Sequence, residues 1–301
     1  MIPIRTVLCP IGFDDLDPKE VALAVDVCRS FGARLVLHHN LGSAPPGASM
    51  SWMWQQAHPN GRSTEDHAAE RLRELLAALP EGVRAEAQIS AGVAGPAILE
   101  MEQQVGADLV VMATHGASNT DHASVAELIV EQSSCPVLVL RNGSSGLNLH
   151  PSAGDAPFNA LVATDFTPSA ERAMSYAFEL ARALPMRLRL LHVMPPESNV
   201  IAAMDPAVGP PIRRERPVEL AHQRLKSRVP EDLQGRVTVR VEIGDPAEKI
   251  AEVAEQVGAS CLFMGAHARG FLRRIFTRDT SLALLHRAPC PVWFVPETRA
   301  A

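Results

Sequence analysis

Short apolar runs alternate with amphipathic stretches along the whole chain, and this alternation predicts buried parallel strands joined by helices. In the first half the apolar runs predict strands at 5–11, 34–39, 83–90, 109–114 and 137–140. Between them, apolar positions at helical spacing predict helices that begin near Asp17, Glu65 and Gly95, with a fourth before Cys135. The first half is therefore predicted to run βαβαβαβαβ.

The second half repeats this plan in nearly the same register. Strands are predicted at 158–165, 187–193, 236–243, 261–264 and 292–295. Matched pairs of residues lie 153, 150 and 155 positions apart, namely His39 with His192, Pro96 with Pro246, and Cys135 with Cys290. Because these spacings differ only by small loop changes, the chain is interpreted as a tandem duplication.

Helix starts and a linker define the predicted boundaries. Asp17-Pro18-Lys19-Glu20, Thr167-Pro168 and Asp245-Pro246-Ala247-Glu248 each place a capping side chain before a proline at the first helical position. In the first of these, Glu20 is predicted to close a reciprocal capping box. The predicted domains are 1–142 and 158–301, and the linker over 143–157 is rich in Gly, Ser, Asn and Pro.

Strands that alternate with helices at this spacing predict an α/β fold. Each half is expected to form an open, mainly parallel, Rossmann-like sheet of five strands with helices on both faces. In such sheets ligands usually bind at the carboxyl ends of the strands. The turns after the strands at 158–165 and 261–264 are therefore the first places in which to look for a site.

Charge and cysteine content narrow the function classes. A formal net charge of −6 argues against general affinity for nucleic acid or for an anionic membrane. The five scattered cysteines include no C-x-x-C pair, which favours reduced thiols over a disulfide framework or a zinc site. Neither a secretory signal nor an apolar run of membrane-spanning length is visible, so a cytoplasmic location is expected.

Candidate chemistry is sparse. The sequence contains no nucleophile elbow, no cysteine beside an evident activating partner and no paired carboxylates on one element, so no catalytic residue is assigned. His115, Asp121, His122 and His267 lie in turns, but their spacing is not that of a metal site, and hydrogen-bonded turn histidines are favoured. Asp165 could contact Mg²⁺ or a ribose, and it could equally cap the helix that follows.

Three further features allow a plain packing interpretation. Met50, Trp52, Met53 and Trp54 lie in a long loop, where they either form a contact surface or fold back to cover the domain, and the second reading is favoured. One of His38 and His39 must point toward the covered face of the sheet. Cys135 and Cys290 precede prolines at final strands, where a small buried residue suffices.

The chain resembles the universal stress protein family in its tandem two-domain form. The resemblance rests on LVATDFTPSAERA, GDPAEKI and MGAHARG leading to HRAPCPVWFV, and on ATHG and SSCPVLVLR in the first half. It implies a fold like that of the adenine nucleotide alpha-hydrolases, paired as an intramolecular pseudo-dimer through the final strands, Val137 to Leu140 and Val292 to Val295. Two such chains are expected to associate as a homodimer.

Some members of this family bind ATP through an acid at the end of the first strand and the pattern G-x2-G-x9-G-[S/T] after the fourth. In the second half Asp165 matches the acid, Val193 the adenine-side position and Gly265 the first glycine. Ala268 replaces the second glycine, and Arg278-Asp279 replaces the final glycine and hydroxyl. The resemblance thus implies one degenerate site: Asp165, Val193, Gly265, His267, Ala268, Arg269, Arg278 and Asp279.

The first half departs further from the pattern. Gly12 stands at the acid position, Asn40 at the adenine-side position and Ala113 at the first glycine, and only six residues separate Gly116 from Ala123.

In the second half, two missing phosphate contacts at about 2 kcal/mol each would weaken binding about a thousandfold. Arginines at 269, 273, 274 and 278 could offset part of this loss, although a solvated loop face is favoured.

These observations predict a non-enzymatic cytoplasmic stress-response protein that acts through protein contacts. It would carry at most one degenerate ATP site, in the second half, with Mg²⁺ expected only alongside ATP. The alternative is an ATP/Mg-binding regulator with slow ATP hydrolysis. An enzyme of the wider nucleotide-binding α/β group is disfavoured, because no acid/base or nucleophile set is visible.

Overall fold

The computed structural model describes residues 4–13, 16, 18–42, 64–114, 120–141, 147, 149, 157–196, 215–266 and 278–297. For residues 120–124, 215–216 and 278–279 it describes the backbone alone. The chain divides into two compact units, one formed by Pro3–Asn142 and the other mainly by Gly143–Ala301. Each unit is an α/β domain in its own right.

The first unit alternates strands and helices as its apolar pattern predicts. Its elements are β1 (Thr6–Pro10), α1 (Pro18–Phe31), β2 (Arg34–Asn40), α2 (Thr64–Ala78), β3 (Arg84–Ser90), α3 (Ala94–Val105), β4 (Leu109–Thr114), α4 (Thr120–Gln132) and β5 (Val137–Arg141).

The sheet of the first unit has the strand order β3-β2-β1-β4-β5, and its strand pairs are parallel. The chain moves outward from β1 to β3 and then crosses to β4 and β5. Because crossovers between parallel strands are right-handed, α1 and α2 cover one face, while α3 and α4 cover the other. The direction reverses between β1 and β4, and this switch point opens at the carboxyl ends of the strands.

The second unit repeats the same order of elements. They are β6 (Phe158–Ala163), α5 (Pro168–Ala183), β7 (Met186–Met194), α6 (Glu215–Lys226), a short 3-10 turn (Glu231–Leu233), β8 (Val237–Ile243), α7 (Pro246–Gln256), β9 (Cys261–Ala266), α8 (Arg278–Arg287) and β10 (Val292–Pro296). The strand order is β8-β7-β6-β9-β10 and the pairs are again parallel. Two open, parallel five-stranded sheets with helices on both faces were predicted, and this prediction is confirmed.

Side-chain caps fix where two helices of the second unit begin. Thr167 is the N-cap of α5, and its hydroxyl accepts a hydrogen bond from the N–H of Ala170. Asp245 caps α7 by accepting from the N–H of Glu248 at 3.0 Å. In both helices proline occupies the first turn, where its missing N–H costs nothing. The predicted starts at Thr167-Pro168 and Asp245-Pro246 are therefore confirmed.

The core of each unit is built from strand residues that are buried on both faces of the sheet. Leu8, Leu35, Leu109 and Leu138 are fully buried at the centre of the first unit. In the second unit Phe263 stacks on Trp293, with ring centroids 5.5 Å apart. Such continuous apolar strands are typical of parallel sheets with helices on both sides.

Two sequence-based expectations concern parts outside this description. The Met50–Trp54 cluster lies outside the described residues, as do the turn histidines His115 and His267. The proposed pairing of the final strands as a pseudo-dimer stays a prediction.

Among the described helices, none combines the length and the apolar character that a membrane span requires.

All five cysteines are buried and reduced, which confirms the packing role predicted for Cys135 and Cys290. Desolvation raises the pKa of Cys28 and of Cys290 to about 12, and burial also raises the pKa of Cys9, Cys135 and Cys261. A thiol with a raised pKa is mostly protonated at neutral pH and reacts slowly, because the thiolate is the nucleophile.

We therefore expect native protein at pH 8 to react with a colorimetric disulfide reagent at far less than one equivalent per chain. In 8 M urea, all five thiols should react within minutes, because unfolding removes the burial that raises their pKa. Rapid reaction of one thiol in the native protein, at a urea-independent rate, would contradict the described burial.

Candidate functional site

The site predicted in the second half lies where β6 ends between β7 and β9. Asp165 lies two residues beyond the end of β6 and is 8% exposed. Its Oδ1 accepts hydrogen bonds from the main-chain N–H of Thr167 at 3.0 Å and from the Thr167 hydroxyl at 2.5 Å. Thr167 in turn caps α5. Thr167, and not Asp165, is therefore the N-cap of α5, and Asp165 supports the helix start by hydrogen-bonding the capping residue.

Gly265 lies in β9 and packs against the first turn of α5. A Cβ at this position would stand 2.6 Å from the carbonyl carbon of Ser169 and 2.7 Å from the main-chain nitrogen of Ala170. Distances this short to main-chain atoms leave no room for any side chain. Gly265 is therefore required by strand–helix packing, whatever it contributes to a ligand.

Val193 is fully buried, so its side chain offers no open surface to an adenine ring in this structure. The main-chain N–H and carbonyl of Val193 are better placed than its side chain to contact such a ring. The carbonyl of Leu191 accepts from the N–H of Thr164 at 2.9 Å and so faces β6. Main-chain groups two residues apart along a strand face the same side, so those of Val193 face the edge where the β6 ladder has ended at Ala163.

The structure does not describe the side chains of the remaining residues predicted for this site. His267, Ala268 and Arg269 lie outside the described residues, together with Arg273 and Arg274. Arg278 and Asp279 form the first turn of α8, and only their backbone is described. The described part of the predicted site is therefore Asp165, Val193 and Gly265.

The first half has a cavity of about 130 Å³ at its own switch point. Its wall is formed by the ends of β1, β2 and β4 and by the helices above them, through Pro10, Ile11, Gly12, Glu20, His38, Asn40, Ala94, Ile98, Met112, Ala113 and Val125. Three of these, Gly12, Asn40 and Ala113, were identified from the sequence as departures from the nucleotide-binding pattern. The structure thus brings them together.

Glu20 is the residue of this cavity whose role the sequence did not reveal. It is 4% exposed, and its Oε1 accepts from the N–H of Ala113 at 2.8 Å, across 93 residues. Its position in the first turn of α1 predicted a capping box, which is a local role. The long-range contact could have been found only by pairing the acid of α1 with the strand end that carries Ala113.

His38 is the histidine of its pair that faces the interior, as the strand alternation predicts. It is 1% exposed, and its Nε2 lies 2.7 Å from the Ser90 hydroxyl. Within the described residues, its Nδ1 has no hydrogen-bond partner. Burial, with a smaller effect of His39, lowers the pKa of His38 to about 4, so the ring is neutral at physiological pH.

A three-layer stack stands beside both sites. Phe13 packs on His39 with ring centroids 4.2 Å apart, and the Arg71 guanidinium lies 4.3 Å from the Phe13 ring. In the second half Phe166 packs on His192 at 4.6 Å, under Arg224 at 3.9 Å.

These two triads occupy matching positions, 153 residues apart in every case. The Nδ1 of each histidine lies within 2.9 Å of the carbonyl of Ile11 or Thr164 in the adjacent strand end. Cation–π contacts of this kind contribute about 0.5–2 kcal/mol each. Each stack therefore joins α2 or α6 to the end of the first strand of its own unit.

Metal and catalytic chemistry find little support in the described part of the chain. No group of three or more His, Cys, Asp or Glu side chains suited to a metal ion occurs among the described residues. The cysteines are buried with raised pKa values. At the end of β6 the described geometry consists of a buried carboxylate, Asp165, beside the main chain of β7 where the β6 ladder has ended.

The contrast between two glycines tests the packing role of Gly265. Replacing Gly265 with Ala should lower the free energy of unfolding by about 1–3 kcal/mol, because the new Cβ overlaps main-chain atoms. The matched control is Gly12→Ala, whose Cβ would meet nothing within 4 Å and whose φ is not positive. Urea denaturation should show the control unchanged or slightly stabilised. Equal midpoints for the two variants would refute the packing argument.

The lowered pKa of His38 predicts loss of stability in mild acid. The unfolded chain takes up a proton near pH 6.5, whereas folded His38 resists protonation until about pH 4. Stability is therefore intact above pH 6.5 and falls below it, by about 2 kcal/mol at pH 5 from this group.

Urea unfolding at pH 7.5 and at pH 5 measures this loss. The His38→Gln variant should lose about 2 kcal/mol less than wild type between these two values, while His192, whose pKa burial also lowers, keeps its own share in both proteins. An identical loss in both proteins would show that His38 titrates normally.

Comparison with known proteins identifies the family to which this chain is similar. The universal stress protein family matches the chain twice, over residues 3–141 and 158–296. A universal stress protein of Mycobacterium tuberculosis is 27% identical over 247 residues, which cover 80% of this chain and 77% of that protein. One from Methanocaldococcus jannaschii is 23% identical over 141 residues, covering 46% of this chain and 82% of its own length.

The solved structures agree in fold. A universal stress protein from Archaeoglobus fulgidus superposes with a TM-score of 0.64 at 19% identity, covering 98% of this chain and 97% of its own. A Pseudomonas aeruginosa protein described as functionally unknown gives 0.60 at 17% identity, with 97% and 92% covered. With the family matched across both halves, the chain belongs to the universal stress protein family as a tandem two-domain member.

Proposed function

We propose that the chain is a non-enzymatic, cytoplasmic stress-response regulator that acts through protein contacts and carries at most one degenerate ATP site, in its second half. The observation that carries this proposal is the opposite placement of carboxylates in the two halves. The second half keeps a buried acid, Asp165, at the end of its first strand. The first half places an acid, Glu20, on the N–H of Ala113 at the end of its fourth strand.

The second half retains the nucleoside end of a nucleotide site. A carboxylate such as that of Asp165 accepts hydrogen bonds from ribose hydroxyls. The main chain of Val193 faces the strand edge beside it, where an N–H and a carbonyl can pair with the edge of a base. These two features support selectivity for a nucleoside. They supply no contact to phosphate, so the expected affinity is low.

The first half opposes phosphate at the matching place. Ala113 stands at the position of the first glycine, where a nucleotide site keeps main-chain N–H groups for phosphate. Here that N–H already donates to the carboxylate of Glu20. A phosphate at this position would meet a negative charge instead of a donor, and like charges at contact distance repel strongly in a partly buried site.

A non-enzymatic role is supported by the chemistry that the described residues offer. Their cysteines are buried, and although His38 hydrogen-bonds the Ser90 hydroxyl, its Nδ1 contacts no carboxylate among the described residues, so the pair lacks the acid that orients a catalytic histidine. The alternative is an ATP/Mg-binding regulator with slow hydrolysis. It is favoured by one observation, the buried carboxylate of Asp165, which could also contact a magnesium ion that arrives with ATP.

Calorimetric titration with Mg-ATP, after mass spectrometry of small molecules released from gently purified protein, tests the proposal. We expect no stoichiometric nucleotide and a dissociation constant in the millimolar range or weaker, because two phosphate contacts at about 2 kcal/mol each are missing. The Asp165→Asn variant should weaken the remaining binding at least tenfold. It keeps an oxygen that can accept from Thr167 but loses the charge.

Asp232→Asn is the matched control. Asp232 is an exposed acid of the same half, lies before β8 and pairs with Arg182 at 2.7 Å. It should bind ATP as the wild type does. Stoichiometric bound nucleotide, a micromolar dissociation constant or steady ATP turnover would overturn the proposal in favour of the alternative. Binding that Asp165→Asn leaves unchanged would also contradict it.

A further inference from the structure

A cavity of about 390 Å³ opens at the amino ends of the strands of the second unit. This edge of the sheet is opposite the one that carries Asp165, which comes after the end of β6. The volume falls within the range of about 300–1,000 Å³ that is usual for small-molecule pockets. Three arginines line the cavity, and none of its described lining residues is acidic. The polar residues of the wall are Asn159, Arg187, Arg189, Arg236, Thr238 and Gln256.

The three arginines of this cavity have no anionic partner among the described residues. The guanidinium of Arg236 donates to two main-chain carbonyls at 2.7–3.1 Å, which fixes its position but leaves its charge unbalanced. Nε of Arg189 donates to the Thr238 hydroxyl at 3.3 Å, which is also a neutral acceptor. Arg187 is exposed and forms no ion pair within the described part of the chain. The cavity wall therefore carries three positive charges.

The matching place in the first half contains a carboxylate. Nη1 of Arg34 donates to Oε1 of Glu86 at 3.0 Å. The same guanidinium donates from Nε to the Thr6 hydroxyl at 3.1 Å and from Nη2 to the carbonyl of Val105, at the end of α3, at 2.8 Å. In the first half, then, an acid of the chain itself neutralises the arginine at the start of the second strand.

The second half has lost this acid and gained a cation. Arg187 matches Arg34, 153 residues earlier, and the strand register makes Thr238 the counterpart of Glu86. The partner of Glu86 across the strands is a valine, whereas the partner of Thr238 is Arg189. One negative charge is thus replaced by a hydroxyl, and one apolar residue by an arginine. The position of the carboxylate is left to a group from outside the chain.

Acids near the cavity are paired elsewhere. Glu242, further along β8, pairs with Arg240 at 2.6 Å, and Asp232, before β8, pairs with Arg182 at 2.7 Å. Guanidinium groups form two parallel hydrogen bonds with carboxylates and phosphates, and such charge-assisted bonds are stronger than those between neutral groups. A concave site lined by one sign of charge also concentrates the opposite ion. These properties favour an anion with more than one charge.

We propose that the cavity at the amino ends of the second sheet binds a small organic anion with two or more negative charges, through its carboxylate or phosphate groups. One such group takes on Arg187 the place that the carboxylate of Glu86 takes on Arg34. Arg189 contacts a second group, and Arg236 supplies a third charge held in position by main-chain carbonyls. This proposal does not rest on the proposed function, because that function concerns the opposite edge of the sheet.

Calorimetric titration of the full-length protein with citrate, pyrophosphate and acetate tests the proposal. Citrate and pyrophosphate are multivalent probes of the two oxyanion types, and acetate is a monovalent control. At least one multivalent probe should bind with a dissociation constant of about 0.1–1 mM, while acetate gives no heat. Binding of citrate alone would assign the site to carboxylates, and binding of pyrophosphate alone would assign it to phosphates. Failure of both to bind would overturn the proposal.

The Thr238→Glu variant returns to the second half the carboxylate that the first half carries. The new side chain should pair with Arg187 and weaken binding of the multivalent probe at least tenfold, because it occupies the guanidinium and repels the ligand. Thr238→Gln is the matched control, since it has nearly the same size without the charge, and its affinity should stay within about threefold of wild type. Thr238 is exposed, so both variants should fold. Equal affinities in the two variants would contradict the proposal.

Arg187→Gln should also weaken binding at least tenfold. Its control is Arg172→Gln, which removes the same charge from an exposed arginine of the same unit that does not line the cavity. Equal losses in both would indicate attraction by overall charge and would overturn the proposal. Asp165→Asn should bind the probe as wild type does. ATP held here by its phosphates would be lost in Arg187→Gln and kept in Asp165→Asn, so the two edges of the sheet are tested separately.

Discussion

Parallel pairing of one central strand with two neighbours determines the layout of each half. In the first half β1 pairs with β2 and β4, and in the second half β6 pairs with β7 and β9. Parallel strands need helical crossovers, so all carboxyl ends meet at one edge. The central strand stops before its neighbour does, and this leaves main-chain groups and a cleft at that edge. Both candidate sites are consequences of this single constraint.

The two halves use the same cleft with different side chains. The stacks of Phe13 and Phe166 are repeated at a constant spacing, and each joins a strand end to a helix through the same three residue types. The polar groups around them are not repeated. Asp165 lies just beyond the end of β6 in one half, whereas Glu20 of α1 lines the cavity of the other. A common frame therefore carries two different arrangements of acidic side chains.

The fold could be predicted from the sequence because its determinants are local and repeated. Apolar runs mark strands, caps such as Thr167 mark helix starts, and the duplication gives each assignment a second test. The cavity of the first half could not be predicted in the same way. Glu20 and Ala113 both line it and are hydrogen-bonded across 93 residues, and the local role that the sequence suggests for Glu20 gives no sign of this distant contact.

Gly265 illustrates the opposite difficulty, because the sequence suggested a ligand-binding role where the structure shows a packing role. It was selected from the sequence as a ligand-binding glycine, yet the structure gives it a packing duty that any side chain would break. The first half carries alanine at the equivalent position and remains folded. Packing against α5 alone therefore accounts for a glycine at this position. A residue that matches a ligand-binding motif in a duplicated chain can thus be required by the contact between a strand and a helix, and only the groups around it show which role it has.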